Sequence, residues 1–452
     1  MFEFYYTLLM LVCFVGMLLY SRSIPVALLS LYVLYWFLPQ GIDVIGTKIG
    51  FLSVLGLAEI IYFIYFYTLK FPKGNDRTLM NKSIRYVVFL VAFYILITFM
   101  STEMPIGEQL DITKHFLYYS VNIILAASCI NNKREYVCIC HFVILLIIIS
   151  GIYGLYTYVI QLNPFAELVL LTQEKLGDQG FGSEFLEDER GFLQGRISGL
   201  TVHPLMYGGV LVICFFLLMS YFNNVTNRWG RVFFYLLFSL CIILIVLTGS
   251  RSILIGLIWG LFYYFLKLNP RKVIKLSLLG FVLVMMFGIT IEDDFIRSIL
   301  FFWEENDEIK GSSTSMRIDQ IRASFDVINK DIESLLFGFG QGWSTQYLSK
   351  HGNVPPFQGF EGIFIFSLVE YGILGTFLYL IAIFFPLFKW NSIYVTDLGK
   401  KTLIKAFLVS GIVIFTFTGH AYGQWLYLVL AFLMIRYCSI KELIKQSKTK
   451  RN

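Results

Sequence analysis

Apolar runs recur along nearly the whole chain, and most are long enough to cross about 30 Å of hydrocarbon at 1.5 Å of rise per residue. This pattern constrains the fold more than any motif does, because a chain so patterned can bury its runs only as membrane-spanning helices, whose backbone hydrogen bonds are internal. Hydrophobic residues are 57% of the 452 positions and charged residues 15%, against roughly 25% charged in soluble globular chains. Polar stretches are too short for a soluble domain of ordinary size, which spans about 100–150 residues. The first run, Met1 to Tyr20, lacks a basic leading region, carries Glu3 and has bulky residues where a small-residue cleavage site would fall; it reads as a retained helix, not a signal peptide.

The runs and their breaks predict about thirteen spans: approximately 4–20, 24–39, 49–69, 84–101, 116–130, 136–160, 203–222, 232–248, 252–267, 274–291, 361–388, 403–419 and 421–437. The last two, separated only around His420, read equally as a hairpin or as one broken element, which leaves twelve spans as the alternative. Basic residues gather in segments of one parity: Arg22, Lys70 to Arg85, Lys133-Arg134, Arg228 and Arg231, 267–275, 389–405, and a tail from Arg436 to Arg451. The positive-inside rule makes that side cytoplasmic. The opposite side holds most of the acidic residues and two long connections, 161–202 and 292–360. The expected architecture is therefore an all-α polytopic integral membrane protein. It divides into N-terminal helices (1–160), an extracytoplasmic loop (161–202), helices containing an Arg251 turn (203–291), a large extracytoplasmic loop with an amphipathic helix (292–360), and C-terminal helices with a basic cytoplasmic tail (361–452). The seven cysteines lie within or at the edges of apolar runs, so neither disulfides nor a Cys138/Cys140 metal site is expected.

Long loops are where such a fold carries chemistry. The first ends in Gly195-Arg196-Ile197-Ser198-Gly199-Leu200-Thr201-Val202-His203-Pro204, which brings Arg196 to the membrane surface. A second arginine sits in the turn Thr248-Gly249-Ser250-Arg251-Ser252; an arginine at membrane depth costs about 2.5–3.5 kcal/mol on insertion scales and marks either a functional site or a side chain snorkelling to the interface. The third cluster opens Ser315-Met316-Arg317-Ile318-Asp319-Gln320-Ile321-Arg322, where Met316, Ile318, Ile321, Phe325 and Ile328 recur at helical spacing and predict an amphipathic surface helix. Arg317 and Arg322 either face a ligand or pair with Asp319 and Asp326 along the helix. The glycine-rich Leu335-Leu336-Phe337-Gly338-Phe339-Gly340-Gln341-Gly342 follows without a Walker lysine, so nucleotide hydrolysis is not supported.

The loop closes on His351, Pro355-Pro356 and Glu361. Glu361, at the mouth of a span, reads as a general base or as a solvated helix-N-terminal carboxylate. His351 and His203 read as site or surface histidines, and His420 as lining the outer vestibule or capping a turn. Glu59 and Glu370, inside apolar runs, read as packed polar contacts.

The order of these features resembles the O-antigen polymerase and O-antigen ligase superfamily. The features are Arg196 before an apolar helix, Thr-Gly-Ser-Arg-Ser, an Arg-led amphipathic helix ending in Leu-Leu-Phe-Gly-Phe-Gly-Gln-Gly, and Val369-Glu370-Tyr371-Gly372-Ile373-Leu374-Gly375. The resemblance covers roughly 190–376. It implies a GT-C-like membrane fold and transfer of a glycan from undecaprenyl pyrophosphate to an acceptor hydroxyl at the outer face of the bacterial plasma (inner) membrane, with no metal or other cofactor. Carried over by motif, Arg196, Arg251 and Arg317 would bind the diphosphate, with Arg322 and His203 as further candidates; Glu361, with His351, would supply acid–base chemistry. Ligases carry a His-Asn pair upstream of the Glu-x-Gly-Ile-Leu-Gly ending, and Glu361-Gly362 stands there instead. This favours a polymerase of surface polysaccharide (O-antigen or capsule) repeat units over a ligase acting on lipid A core or protein. Expected partners are a lipid-linked oligosaccharide and membrane lipid; the resemblance admits a chain-length regulator, and nothing points to nucleic acid. A lipid-linked oligosaccharide flippase is the reading from a different class, although no internal repeat is visible.

Overall fold

The computed structural model describes residues 2–39, 42, 50–69, 75–101, 103–128, 130, 132–172, 195–201, 203–223, 225–271, 314–351, 362–418 and 423–449. Most of the described residues are helical, and none of them lies in a strand. The N-terminal part comprises α1 (Phe2–Ser21), α2 (Ile24–Phe37), α3 (Phe51–Leu69), α4 (Asn75–Met100), α5 (Ile106–Ser128), α6 (Lys133–Ile160) and the short α7 (Pro164–Thr172). After a single 3-10 turn, Gly199–Thr201, come α8 (Pro204–Phe222), α9 (Arg228–Leu247) and α10 (Arg251–Leu268). Three shorter helices follow, α11 (Thr314–Ile328), α12 (Ile332–Phe337) and α13 (Trp343–His351), and then α14 (Ile363–Tyr394), α15 (Leu398–Thr418) and α16 (Gln424–Thr449).

Among the described residues, nine helices are long and apolar enough to cross a membrane, and α2 and the Gln424–Ser439 part of α16 are shorter apolar helices. The chain is thus a polytopic membrane protein. The expected span at 274–291 lies outside the described residues. The ambiguity near His420 resolves into two helices, since α15 stops at Thr418 and α16 starts at Gln424. They pack on one another closely enough that Tyr427 donates to the Leu408 carbonyl at 3.0 Å.

Two expectations are corrected. Arg436 is not a tail residue: it lies within α16, is buried, and its Nε donates to the Ile130 carbonyl just beyond the end of α5 at 2.9 Å. The guanidinium thus satisfies a carbonyl close to the orphan acceptors of a helix end. Helices α4 and α5 also extend further into polar sequence than hydropathy implies, from Asn75 and Ile106. The outer turns of α5 carry Glu108, Gln109 and Thr113, and they are helical because they dock another segment.

Close helix approach depends on small residues. On α10, a Cβ at Gly260 would sit 2.8 Å from the Ser410 Cβ and 3.0 Å from the Ala406 carbonyl oxygen of α15. The two helices run antiparallel, which puts the start of α10 beside the end of α15.

The main irregularity is in α14. Gly372 adopts φ 64°, ψ −172° within the helix, a left-handed φ that only glycine tolerates easily. A break of this kind deprives carbonyls of the preceding turn of their i+4 amides. Two of them are recruited elsewhere: the Val369 carbonyl accepts from Phe339 N and the Glu370 carbonyl from Gly340 N, each at 3.0 Å. The backbones meet so closely that a Cβ on Gly372 would lie 2.5 Å from the Leu336 carbonyl oxygen, and one on Gly338 would lie 2.6 Å from that of Glu370. Gly372→Ala therefore meets both backbone strain and a collision. We expect it to lower stability by about 1–3 kcal/mol, read as a reduced apparent Tm in detergent, whereas Gly16→Ala within α1, where a Cβ meets nothing within 4 Å, leaves it unchanged or slightly raised.

Candidate functional site

The polar features gather at one end of the bundle, where α8, α10 and α14 start and α4, α6, α9 and α15 finish. Two assemblies form there.

The first is built around Arg196. The backbone amide of Ile197 donates to the Leu247 carbonyl at 2.9 Å, which lays the segment before α8 against the end of α9. Arg196 is buried, with 6% exposure. Its Nε donates to the Thr248 carbonyl at 2.9 Å and its Nη2 to the Ser250 hydroxyl at 3.4 Å. The guanidinium therefore bridges the last turn of α9 and the N-cap of α10, the helix that Arg251 opens. Ser250 makes no side-chain capping bond to α10, so the first-turn amides of that helix are not tied up by their own N-cap. Arg251 is half-buried. Arg196 is thus bonded to the turn from which Arg251 opens α10, with the positive end of that helix's dipole beside it.

Supporting contacts hold this turn. Asn163 donates to the Ser198 hydroxyl at 3.0 Å and accepts from the Tyr153 hydroxyl at 2.8 Å. His203 is the N-cap residue of α8, which has proline in its first turn. The His203 carbonyl accepts from Tyr207 N and, at 3.0 Å, from the Thr201 hydroxyl. A second helix therefore starts beside the arginine turn: a Cβ on Gly208 would lie 3.1 Å from the Thr248 hydroxyl.

The second assembly joins α11–α13 to the tip between α4 and α5 and to the break in α14. The Phe339 carbonyl accepts from Glu103 N and Met104 N. Gln341 donates its amide proton to Gln109 Oε1 at 3.2 Å and its Nε2 proton to the Tyr94 carbonyl at 3.1 Å. Glu370, fully buried, accepts from the Ser344 hydroxyl at 2.5 Å and from Ser344 N at 3.3 Å. Trp343 donates its ring N–H to Glu103 at 2.7 Å, and Lys330 bridges to the same carboxylate at 3.4 Å. The Asp331 carboxylate caps α12 by accepting from Ser334 N, and these bonds hold its pKa below the usual carboxylate value. The glycine-rich turn is therefore a structural joint, with the amides of Phe339, Gly340 and Gln341 all committed to neighbours.

Arg317 lies on α11, which packs against α14, so it belongs to this second assembly by its backbone position; its side chain lies outside the described part. Arg322 is mostly exposed and pairs with Asp319 at 3.7 Å along its own helix, an arrangement worth little in water. The His351 side chain, Glu361 and His420 also lie outside the described residues; Gly362, directly after Glu361, is buried at the start of α14 with φ 99°. Glu370 is a packed polar contact, as expected, and so is Glu59, whose Oε2 accepts from Asn122 at 2.7 Å within the bundle. No group of three His, Cys, Asp or Glu side chains able to hold a metal occurs among the described residues.

Sequence reasoning missed Glu103, Gln109, Gln341, Trp343 and Ser344 as a joint. The signal was weak: glutamines beside a glycine run and on the polar turns of α5 have partners far away along the chain.

The fold and this end of the bundle define a polytopic membrane protein with the buried, hydrogen-bonded guanidinium of Arg196 and the half-buried Arg251 at one end. Residues 234–380 match the family model described as O-antigen ligase, a stretch that includes Arg251, Arg317, Glu361 and the Gly372 break and begins after Arg196. The match supports the O-antigen ligase/polymerase superfamily suggested by the motifs, and with it a membrane glycosyltransferase-like enzyme. No curated protein matches the chain.

The bridging role of Arg196 predicts a graded response. Arg196→Lys keeps the charge but has no planar fork with which to bind Thr248 and Ser250 together, whereas Arg196→Ala leaves these two buried groups only the 3.4 Å bond from the Ser250 hydroxyl to the Thr248 carbonyl, a loss of about 1–3 kcal/mol. Thermal unfolding in detergent should rank wild type above the lysine variant and the lysine variant above the alanine variant.

Proposed function

We propose that the protein polymerises surface-polysaccharide repeat units, transferring a glycan from a polyprenyl-diphosphate carrier to a sugar hydroxyl of another lipid-linked unit. The observation that carries this reading is Arg196, buried and bonded to the N-cap of the helix that Arg251 begins. It presents fixed positive charge and a helix N-terminus together at one end of a membrane bundle. A diphosphate is the ligand such a place suits, since guanidinium forks recognise phosphate oxygens bidentately and helix N-termini favour anions.

In the proposed reaction the acceptor oxygen bonds to the anomeric carbon as the bond from that carbon to the diphosphate oxygen breaks. The diphosphate departs with the electron pair, and the acceptor proton passes to a base, for which Glu361 is the candidate. Attack opposite the leaving group inverts the anomeric centre. Arg196 and Arg251, with Arg317 from α11, stabilise charge developing on the leaving oxygens, and donors already in place need no reorganisation during the step. The side bearing these residues is taken as the extracytoplasmic face of the bacterial plasma membrane, in keeping with the distribution of Lys and Arg.

Arg251→Ala and Arg317→Ala are each expected to abolish long-chain polysaccharide at normal protein level, with a loss of about 10²–10³ in turnover per donor removed. Unchanged chain-length ladders in both variants would refute the proposal. Glu361→Gln should lower turnover by about 10²–10⁴ if the carboxylate is the base, measured with purified protein and lipid-linked donor. Cells lacking the gene separate polymerase from ligase: single repeat units on the normal acceptor indicate loss of a polymerase, and accumulated lipid-linked polymer indicates loss of a ligase.

A further inference from the structure

The outer sides of α11 and α12 carry a pattern explained neither by core packing nor by the transfer reaction. Helix α11 buries Gln320, Ser324 and Ile328, which recur every fourth residue. Of the apolar residues that mark this helix in the sequence, Ile328 is buried, whereas Ile318 and Phe325 are 44% and 39% exposed. Successive helical residues turn by about 100°, so Ile318, Ile321 and Phe325 form one flank beside the buried face, and Asp319, Arg322 and Asp326 lie about 100° further round. Helix α12 continues the arrangement, with Ile332 72% exposed, Leu336 37% exposed one turn later, and Glu333 on the polar side.

Packing fixes the height of this flank. The backbone of Leu336 abuts Gly372. Of the α14 residues before Gly372 only Phe364 is exposed, whereas Ile373, Leu374, Phe377 and Leu378 just after it are all exposed. They begin the apolar outer surface of a helix long enough to cross a membrane. Helix α4 ends at the same level, because Gly375 faces Ile97 and Gly340 faces Ser101. The exposed apolar side chains of α11 and α12 therefore lie at the level along α14 where its apolar outer surface begins.

We propose that the arch formed by α11 and α12 rests on the bilayer. Ile318, Phe325, Ile332 and Leu336 enter the headgroup–acyl boundary of the adjacent leaflet, while Asp319, Arg322 and Asp326 face water. An interfacial helix buries its apolar side by about 5–10 Å, a depth that side chains of this size reach from a helix axis at the surface. Three-sided character of this kind, with one face on protein, one on lipid and one on water, is what a helix at that junction requires. Combined with the function proposed above, it holds the helix bearing Arg317 at the height of a lipid-linked diphosphate; the bilayer contact itself does not depend on that function.

The test uses the full chain in vesicles of phosphatidylcholine and phosphatidylglycerol. An environment-sensitive fluorophore is attached through Phe325→Cys, Ile332→Cys or Asp326→Cys, with the parent chain treated identically to subtract labelling of native cysteines. Ile318→Cys provides an independent measurement of the apolar flank should another variant fold poorly. Lipids carrying a nitroxide high on the acyl chain should quench positions 318, 325 and 332, which should be shielded from aqueous iodide, and position 326 should show the reverse. Iodide quenching at all positions would overturn the proposal by showing a water-exposed face. Protection of 318, 325 and 332 from both quenchers would overturn it by showing that a second copy or another protein covers the flank. No transfer activity is needed, so the outcome is separate from the fate of the functional proposal.

Discussion

In α14 the helical hydrogen-bond ladder is interrupted at Gly372, and amides from a segment earlier in the chain pair with carbonyls just before the interruption. Inside a membrane protein this exchange is close to obligatory, because a carbonyl left without a partner in apolar surroundings costs several kcal/mol. Phe339 and Gly340 supply the amides, and glycine at both 338 and 372 lets the two backbones approach to contact. Once that pairing exists, the side chains around it have little freedom: Glu370 must find Ser344, Gln341 must find Gln109 and Tyr94, and Trp343 must find Glu103. The placement of α11 to α13 on the bundle, and hence of Arg317, follows from one non-helical residue.

The arginine turn follows a different logic, one of electrostatics more than of backbone pairing. A buried guanidinium is tolerable only when hydrogen-bonded. Arg196 achieves this by accepting the constraint of two neighbours, the Thr248 carbonyl at the end of one helix and the Ser250 hydroxyl at the start of the next. The same bonds that make its burial possible also fix its direction. Arg436 shows the contrasting case at the other end of the bundle, where an equally buried guanidinium donates to the Ile130 carbonyl and serves packing.

The spanning helices were legible because hydropathy and the bilayer thickness act on the same length, and the start at Arg251 and the end of α9 fall close to where the apolar runs break. Helix ends were less legible. The outer turns of α5 are helical through polar residues such as Gln109, whose reason for being there is an amide 232 positions away. Arg436 was misplaced because a basic residue near a C-terminus looks like tail sequence unless its buried carbonyl partner is known. In α11 the spacing of apolar residues announced an amphipathic surface helix, but not that Gln320 and Ser324 would join Ile328 on the side turned toward the protein, because a polar face that packs on protein leaves no mark in hydropathy. Among the candidate residues, Arg196 and Arg251 were visible as isolated charges, while the docking of Arg196 on the turn from which Arg251 opens α10 depends on the Ile197–Leu247 backbone bond, for which no motif exists.

The bridge made by Arg196 also bears on how tightly an anion would be held. A long cationic side chain free in water has up to about 2 kcal/mol of rotamer entropy to lose when a ligand captures it. For Arg196 most of that loss has already occurred during folding, since the Thr248 and Ser250 bonds hold the guanidinium in one orientation within a buried setting. A diphosphate arriving there would order little that was not ordered before, and would replace water around a cation that cannot swing away to meet it. Such a site discriminates by shape and distance more than by charge alone, so a single phosphate carrying part of the charge but not the span should be a poor substitute.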